Sequence, residues 1–490
     1  MEIELKLALP CADPENLAQR LARTPPLARR KPQILQLHNV YYDTPDQRLR
    51  QQRIALRIRK VDGSGTPQWL QTLKTAGNSA SALSQRGEWE TPVPDENLVR
   101  AALNNTPWPE LDPDDSLFAA LQPCFATTFE RTLWTVRQRD GSVVEVALDR
   151  GKTIVRDQQA PICELELELL AGPPQALFDL ARKIAHTVAV LPSQTSKAAR
   201  GYQLAQNAHD APLRAKPLAL SKNQPVGEAA RQLLCEMLGQ WMANLDALRR
   251  SDDPELVHQA RIAWRRFNSF WRLCKKQFPT EAVPSWAALQ PLVATLGRLR
   301  DLDVARTSSL PALHTTYTQG HARRTPGWLK LMSDLEQAAH VQRQAARKLL
   351  EDPRTGTCLL AMVEWLESPS HPMEPTAKPA PPLSGWARKR MQRLHKKLKQ
   401  AQQAPSTLDG QHRLRILAKR LRYGIEALRS VLPAKRAQQW HARALQLQSR
   451  LGAARDVAQA ATLAEQLQAD PVLQAFLHGV VVGQTTASQL

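Results

Sequence analysis

The sequence has few cysteines and no long apolar run. Its six cysteines among 490 residues are scattered and form no Cys-x-x-Cys pair, so neither a zinc site nor a disulfide framework is indicated. No stretch approaches the roughly 18 consecutive apolar residues that cross a bilayer, and the first residues lack the basic and apolar regions of a secretory signal. We therefore expect a soluble, cytoplasmic protein with buried thiols.

The excess of positive charge is confined to one half of the chain. Residues 1–210 hold 25 Lys and Arg against 25 Asp and Glu, whereas residues 211–490 hold the other 41 basic and 21 acidic residues and so the whole net charge of +20. A field of that size attracts polyanions such as nucleic acid, an anionic membrane or polyphosphate, but it does not select one of them.

A change of pattern near residues 206–225 separates two domains. This stretch contains three prolines and few periodic apolar residues, with short alternating segments before it and long Leu-, Ala- and Arg-rich segments after it. We expect an α+β protein with several domains, in which a β-rich domain at 1–205 is joined by a linker at 206–224 to an all-α domain at 225–490.

Charged residues occupy every second position in the predicted strands of the first domain. They are Glu2, Glu4 and Lys6; Arg57 and Arg59; Lys74; Arg86, Glu88 and Glu90; Arg131; Glu145 and Asp149; and Glu164, Glu166 and Glu168. A strand with one polar face gives this period, and an exposed sheet face is the simplest explanation. Three carboxylates in a row, however, repel one another unless cations lie among them. If the sheet closes into a barrel, the charged face instead lines the lumen.

A lumen that holds carboxylates beside Arg and Lys suits a phosphoanhydride substrate. Mg²⁺ takes oxygen ligands and uses a few carboxylates together with substrate phosphates. Arg and Lys neutralise the remaining phosphate oxygens, and Arg can do so with two hydrogen bonds. Catalysis of phosphoryl transfer in such a site would rest on positioning and charge neutralisation.

Five motifs resemble the CYTH family of triphosphate tunnel metalloenzymes over about residues 1–205. They are ExExK at 2–6, YYDT at 41–44, LRIR at 56–59, ELELE at 164–168 and SKAARGY at 196–202. The resemblance implies an antiparallel β-barrel tunnel with flanking helices that hydrolyses or cyclises triphosphates with Mg²⁺ or Mn²⁺. It implies metal ligands Glu2, Glu4, Asp149, Glu164 and Glu166, substrate-binding residues Lys6, Arg57, Arg59, Lys74, Arg86, Arg131 and Lys197, and catalytic roles for Glu2, Glu4, Lys6, Arg57, Arg59 and Lys74.

Two motifs in the second half recur at nearly one spacing. HQARIAWRRF at 258–267 and HRLRILAKRL at 412–421 share a histidine, an arginine and a basic pair at an offset of 154 residues. LGRLRD at 296–301 matches LGAARD at 451–456 at an offset of 155. Two motifs at one spacing indicate a duplicated unit. We expect one helical bundle at 225–367 and another at 386–490, joined by a Pro-rich linker at 368–385.

The repeated basic residues fall on one stripe of each predicted helix. Without acidic partners four residues away, such stripes favour a binding surface over a solvated helix face. This half resembles the CHAD domain over about residues 225–490, which implies pseudo-symmetric bundles that bind inorganic polyphosphate. The expected polyphosphate ligands are His258, Arg261, Arg265 and Arg266 in the first copy, and His412, Arg415, Lys419, Arg420 and Arg422 in the second.

Both halves thus predict partners of one chemical class. We expect hydrolysis of inorganic triphosphate to diphosphate and phosphate in the tunnel, polyphosphate binding by the helices, and association with cytoplasmic polyphosphate granules. Adenylate cyclase or thiamine triphosphatase activity remains an alternative for the same tunnel. A non-catalytic polyphosphate- or nucleic-acid-binding protein is an alternative of another class, but Trp264, Phe267 and Trp271 have the spacing of core residues. We expect no membrane partner.

Overall fold

A computed structural model of the chain describes residues 2–10, 15–63, 65–75, 77, 81–368, 382–403 and 408–487. Of the cysteines, Cys11 lies outside these ranges, and the others within them form no disulfide. The predicted Pro-rich linker also lies outside them between positions 369 and 381. No helix in the described ranges has the length and apolar character needed to cross a membrane.

The first part of the chain forms one antiparallel sheet. Its strands are β1 (Glu2–Ala8), β2 (Gln33–Asp43), β3 (Ala55–Asp62), β4 (Gln68–Lys74), β5 (Leu83–Arg86), β6 (Glu88–Val93), β7 (Gln122–Arg137), β8 (Val143–Val155), β9 (Gln158–Ala171) and β10 (Leu191–Pro192). They pair in the order β10, β1, β9, β8, β7, β2, β3, β4 and β6, and β5 pairs with β1.

The two ends of this sheet are drawn together by one segment. Only Gly87 separates β5 from β6, so the same stretch of chain pairs with β1 through β5 and with β4 through β6. The sheet therefore curls until Lys74 on β4 comes within 3.1 Å of a carboxylate oxygen of Glu2 on β1. This confirms the curled antiparallel sheet expected from the sequence.

The charged residues of the alternating pattern lie on the inner face of the curled sheet. On β1, Leu5 and Leu7 are fully buried and belong to the large apolar cluster outside the curl, while Glu4 and Lys6 point the other way. Since neighbouring strands are in register, Lys6 lies opposite Glu166 on β9. An apolar outer face can be buried only if further elements cover it, and helices of both domains do so.

The helices flank the sheet and then make up the second domain. They are α1 (Leu17–Ala22), α2 (Arg48–Gln51), α3 (Trp108–Leu111), α4 (Ser116–Ala119), α5 (Gln175–Ala185), α6 (Lys197–Ala205), α7 (Val226–Leu248), α8 (Pro254–Cys274), α9 (Gln290–Val304), α10 (His314–Thr318), α11 (Thr325–Leu350), α12 (Pro353–Glu367), α13 (Leu383–Gln402), α14 (Leu408–Ala427), α15 (Ala434–Gln466) and α16 (Pro471–Ala487). The architecture is the predicted α+β arrangement of a curled sheet followed by a helical domain.

The two copies of the repeat meet through equivalent helices. The His-Arg motifs lie on α8 and α14, which pack against each other, and the second pair of motifs lies on α9 and α15, which also touch. Asp253 caps the start of α8 by accepting a hydrogen bond from the backbone N–H of Glu255. The basic stripes of the two copies therefore share one junction.

The two domains share one apolar core. Residues of β1, β8 and β9 belong to the same buried cluster as residues of α7, α8 and α12. Two glycines allow the close approach, because a Cβ on Gly356 of α12 would lie 2.1 Å from the carbonyl oxygen of Val190, and one on Gly239 of α7 would lie 2.2 Å from the side chain of Gln194. The helical domain is thus fixed against the rim of the curled sheet.

Candidate functional site

The curled sheet encloses a cavity of about 660 Å³ whose walls are charged. Its lining includes Glu2, Glu4, Lys6, Arg57, Arg59, Lys74, Arg86, Arg131, Glu166 and Lys197. The structure thus brings most of the site residues predicted for the first domain into one space. Asp149 and Glu164 are completely buried in the wall beside them.

Three carboxylates form the acidic centre of this cavity. Asp149, Glu164 and Glu166 each present an oxygen within 4.8 Å of the oxygens of the other two. The register explains the grouping, since Asp149 on β8 lies opposite Glu164 on β9 and Glu166 follows two residues later on the same face. Hard divalent cations prefer such oxygen ligands, so the donor set fits Mg²⁺ or Mn²⁺.

Three cations predicted from the sequence contact the acidic centre. Lys197 Nζ lies 2.6 Å from Asp149, 2.5 Å from Glu164 and 2.8 Å from Glu166. Arg131 binds both oxygens of Asp149 at 2.8 Å and also reaches Glu166 at 2.8 Å. Lys6 pairs with Glu166 and approaches Glu164 at 3.6 Å. Carboxylates and cations are therefore interleaved, which offsets the repulsion expected from the sequence.

These pairs keep the acidic centre ionised. Burial by itself raises the pKa of Glu166, but Lys197, Lys6 and Arg131 outweigh it and hold the pKa well below its usual range. For Asp149 burial is likewise opposed by Arg131 and Lys197, which lower its pKa. Both groups are negative at neutral pH and available as metal ligands.

Glu2 and Glu4 lie on β1, the strand next to β9. Arg86 binds both of them, with 2.9 Å from Nε to Glu2 and 2.8 Å from Nη2 to Glu4. Lys74 joins Glu2 at 3.1 Å and Glu88 at 2.9 Å. The structure therefore places these two predicted metal ligands outside the three-carboxylate group, where cations separate them from it.

Arg57 is a buried cation of the cavity with unused hydrogen-bond donors. Its side chain is buried, and among the described residues its Nε and Nη2 atoms have no hydrogen-bond partner. Nη1 donates to Tyr41 at 3.4 Å, and Nη2 lies 3.8 Å from Glu88. A buried guanidinium without hydrogen bonds is costly, so this geometry suits an anionic ligand that accepts from it.

Arg59 completes this basic wall. Its Nε atom donates to Asn39 at 2.8 Å, and Nη1 lies 3.9 Å from Glu90. Burial together with the neighbouring Arg57 and Arg131 lowers its pKa to about 10. The repulsion among these three cations is a further reason to expect an anion between them.

Two of the recognised motifs have a structural task. Asp43, in YYDT, is fully buried and accepts hydrogen bonds from the backbone N–H groups of Leu49 and Arg50 at the start of α2. Tyr202, in SKAARGY, donates to the same carboxylate at 2.7 Å. This contact fixes α6, and with it Lys197 at its first turn, against the sheet.

One cation of the site was not predicted from the sequence. Arg200, also in SKAARGY, lies 2.9 Å from Glu164 and is buried. Its position three residues after Lys197 places both side chains on one face of α6, and this helical spacing is the signal that would have identified it.

The basic stripes of the helical domain converge at the junction of α8 and α14. Arg265 on α8 and Arg455 on α15 repel both Arg415 and Lys419 on α14, and this repulsion helps to lower the pKa of each. Burial and these neighbours lower the pKa of Lys419 to about 7. Burial, together with the positive charges of Arg300, Arg265 and Arg261, lowers the pKa of His258 to about 4.

Arg300 and Arg455 belong to this cluster but were not predicted. They are equivalent positions of the repeated LGxxRD motif, and that repetition was the available signal. Gly297 of the same motif leaves room for Arg261, whose Nη1 atom would lie 2.9 Å from a Cβ at that position. We define the basic junction as Arg261, Arg265, Arg300, Arg415, Lys419 and Arg455.

The other predicted polyphosphate ligands have other contacts, or their side chains lie outside the described residues. Arg266 is buried and turns toward α7, where it pairs with Glu236 at 3.0 Å. Burial, and to a smaller extent the nearby Arg272, lowers the pKa of Arg420. Arg422 pairs with Glu426 at 3.4 Å. The side chain of His412 lies outside the described residues.

Comparison with known protein families also divides the chain into two domains. The CYTH domain model matches residues 1–202, and the CHAD domain model matches residues 232–465. An inorganic triphosphatase from Haemophilus influenzae is 40% identical over 204 residues, which cover 41% of this chain and 54% of that protein. The chain thus spans about half the length of this relative.

Two solved structures resemble parts of the chain. The CHAD domain from the plant Ricinus communis is 27% identical, with a TM-score of 0.47, over 56% of this chain and 92% of that one. A putative adenylyl cyclase from Hippeastrum, described as having a dominant triphosphatase activity, is 19% identical with a TM-score of 0.30 over 41% and 96%. The two family matches, in their order along the sequence, show that the chain contains an N-terminal CYTH domain followed by a CHAD domain.

Proposed function

We propose that the chain hydrolyses inorganic triphosphate to diphosphate and phosphate in the charged cavity, with the help of a divalent metal ion. The observation that supports this most directly is that one cavity holds both the acidic centre and the buried Arg57, two of whose nitrogen atoms have no hydrogen-bond partner among the described residues. The inorganic triphosphatase from Haemophilus influenzae, similar over the same domain, supports the same substrate class.

In this mechanism the chain's own residues bind and orient the substrate. Arg57, Arg59 and Arg131 neutralise phosphate oxygens, together with Lys6, Lys74, Arg86 and Lys197, which line the same cavity. A water molecule attacks the terminal phosphorus, the bridging P–O bond breaks, and diphosphate leaves. Since little covalent chemistry is required of the protein, fixed charges around the phosphates supply most of the rate enhancement.

The metal would be held by Asp149, Glu164 and Glu166. Glu2 and Glu4 remain proposed ligands on the neighbouring strand β1. Mg²⁺ or Mn²⁺ at these oxygens would neutralise phosphate charge as a Lewis acid. Lys6 and Lys197 neutralise the same carboxylates in the structure and would turn toward the substrate when the metal is present.

Phosphate release from inorganic triphosphate, ATP, thiamine triphosphate and long-chain polyphosphate, each with Mg²⁺ or Mn²⁺, tests this proposal. We expect inorganic triphosphate to be hydrolysed most efficiently, and EDTA to abolish turnover. Cyclic AMP as the main product from ATP would instead make the chain an adenylate cyclase, and preference for thiamine triphosphate would make it a thiamine triphosphatase.

We further propose that the helical domain binds inorganic polyphosphate at the basic junction. The supporting observation is that six cations from four helices converge there, close enough for burial and mutual repulsion to lower the pKa of Lys419 to about 7. Of the three aromatic residues expected in the core, Trp264 and Phe267 are buried, and Trp271 is partly buried and packs against the same apolar cluster, so stacking on nucleic-acid bases is not their role.

Loss of the basic junction should weaken polyphosphate binding strongly. We expect Arg261→Ala, Arg265→Ala, Arg415→Ala and Lys419→Ala, combined in one variant, to lower the affinity for long-chain polyphosphate about 100-fold or more, because each cation releases counterions on binding. Calorimetry at two salt concentrations measures this. The control is Arg323→Ala, Arg388→Ala, Arg393→Ala and Lys396→Ala, which removes the same charge from exposed positions elsewhere. Equal losses in the two variants would refute the site.

Polyphosphate binding should also depend on pH. A lysine is charged below its pKa, and Lys419, with a pKa of about 7 set by burial and by Arg265, Arg415, Arg455 and Arg422, loses its charge above that value. We expect the affinity to fall as the pH rises from about 6 to about 8. Lys419→Arg should flatten this dependence, since arginine stays charged. Calorimetry at several pH values checks it, and an unchanged slope in the variant would contradict it.

A further inference from the structure

The wall of the charged cavity is not built by the sheet alone. Arg214, Lys216 and the apolar Leu213 and Leu218, all from the segment between α6 and α7, line the same cavity as the inner-face residues. We call residues 213–218 the connector. Glu236 and Gln240 of α7 reach the cavity as well. The mouth of the cavity is therefore made by parts of the chain that lie outside the predicted tunnel domain.

The connector is fixed to α7 by buried side chains. The backbone N–H of Leu213 donates to Asn244 Oδ1 at 3.0 Å, and its carbonyl oxygen accepts from Asn244 Nδ2 at 3.0 Å. Gln240 donates to the same carbonyl at 3.1 Å. Asn244 is fully buried and Gln240 is only 2% exposed, so neither amide can exchange this partner for water.

Contacts of Arg266 extend this attachment to α8. Arg266, which the sequence analysis assigned to polyphosphate, donates to Gln240 Oε1 at 2.6 Å and pairs with Glu236 at 3.0 Å. These contacts orient the Gln240 amide so that its nitrogen faces Leu213. Arg266 is therefore tied to the cavity mouth rather than to the basic junction, although its neighbour Arg265 belongs to the junction.

The connector presents two cations at this mouth. The side chain of Arg214 is 78% exposed and lies 3.6 Å from Glu255 on α8, and Lys216 is exposed. Among the described residues, Lys216 takes part in no ion pair within 4.0 Å. Exposed cations beside a cavity lined by low-dielectric walls raise the local concentration of an anionic substrate and its rate of entry.

We infer that the connector, held in place by the helical domain, completes the substrate-binding site, with Arg214 and Lys216 capturing the triphosphate at the cavity mouth and Asn244 of α7 acting as the positioning residue for them. This rests on the proposed triphosphatase function. The two domains then act on one substrate path, and the CHAD domain contributes to catalytic efficiency in addition to binding polyphosphate.

The test uses the full chain with Arg214→Ala and Lys216→Ala combined. We expect the KM for inorganic triphosphate to rise about tenfold with kcat nearly unchanged, because the cations act before the chemical step. The effect should shrink at high salt, where exposed charges are screened. The control is Arg323→Ala with Lys348→Ala, an exposed pair on or next to α11 that removes the same charge.

Asn244→Leu tests the positioning role. It removes both hydrogen bonds to Leu213 at similar volume, and we expect the same rise in KM with no further rise when it is combined with Arg214→Ala and Lys216→Ala. If Asn244 had only a structural role, Asn244→Leu would lower the stability of the protein, and its effect on KM would add to the effect of the connector substitutions. If Asn244→Leu does not fold, the exposed connector substitutions still decide the inference.

Binding of inorganic triphosphate by calorimetry in EDTA separates this inference from the proposed function. A wild-type chain that binds triphosphate in EDTA but does not hydrolyse it when Mg²⁺ or Mn²⁺ is supplied refutes the triphosphatase. In that case a tenfold weaker Kd of the connector variant supports the inference, and an unchanged Kd refutes it. A connector variant with unchanged KM and Kd, or with the same change as the control, overturns the inference. A wild-type chain that neither binds nor hydrolyses triphosphate overturns both.

Discussion

Glu166→Gln is expected to lower kcat/KM for inorganic triphosphate by about 10²- to 10³-fold, the effect of losing one preorganised charge contact. Glu166 contacts Lys6, Arg131 and Lys197 and belongs to the acidic centre proposed to hold the metal. Glutamine keeps the volume but removes the negative charge that a divalent ion requires. Steady-state kinetics at several Mg²⁺ and Mn²⁺ concentrations measure the loss, and circular dichroism confirms that the fold survives.

Glu130→Gln is the matched control for this variant. Glu130 precedes Arg131 on β7 and so lies on the outer face, where it pairs with Arg150 at 2.5 Å. The same chemical change there should leave kcat/KM within about twofold of the wild type, since a partly exposed ion pair contributes about 1 kcal/mol or less. Near-normal turnover by Glu166→Gln would refute the acidic centre as the catalytic site.

Arg57→Ala is expected to cost a similar 10²- to 10³-fold in kcat/KM, about 2–4 kcal/mol of transition-state stabilisation. The Nε and Nη2 atoms of Arg57 have no hydrogen-bond partner among the described residues. A bound phosphate could therefore accept hydrogen bonds from both atoms without breaking an existing one. Arg57→Lys should recover part of this loss, because it keeps the charge but not the paired hydrogen bonds of a guanidinium. Metal affinity, measured by calorimetry, should change little.

Arg150→Ala provides the comparison on the outer face of the same sheet. Arg150 on β8 pairs with Glu130 and is partly exposed, so its removal should leave triphosphate kinetics nearly unchanged. An effect of Arg57→Ala no greater than that of Arg150→Ala would place Arg57 outside the substrate-binding wall. The graded order of alanine, lysine and wild type at position 57 distinguishes phosphate contact from a role in packing alone.

The shared core affects how the two domains can be studied. Leu5 and Leu7 of β1 lie in one buried cluster with residues of α7 and α12, and Gly356 packs on the backbone of Val190. Cutting the chain near residue 205 would expose this surface to water at a cost of roughly 25 cal/mol for each Å² of apolar area. Point substitutions in the full chain therefore report on each site more directly than isolated domains.

The sequence by itself determined the architecture and the chemistry of the inner face. Period-two alternation of charged and apolar residues is a local property of each strand, so it could be recognised for Glu4, Lys6 and Glu166 without knowing their neighbours. The repeated His-Arg motif likewise placed Arg261 and Arg415 on equivalent helix faces. Periodicity and repetition require only the backbone geometry of a single element, which the sequence encodes directly.

Only the tertiary structure decided which of these residues meet. Strand register brought Asp149 to Glu164 and left Glu2 with Arg86, and no single strand contains that information. A helix stripe is about 100° wide, so sequence could not tell that Arg266 turns inward to Gln240 while Arg265 faces the junction. The connector reached the cavity mouth because buried amides of α7 hold it there, and such long-range contacts depend on how whole domains pack.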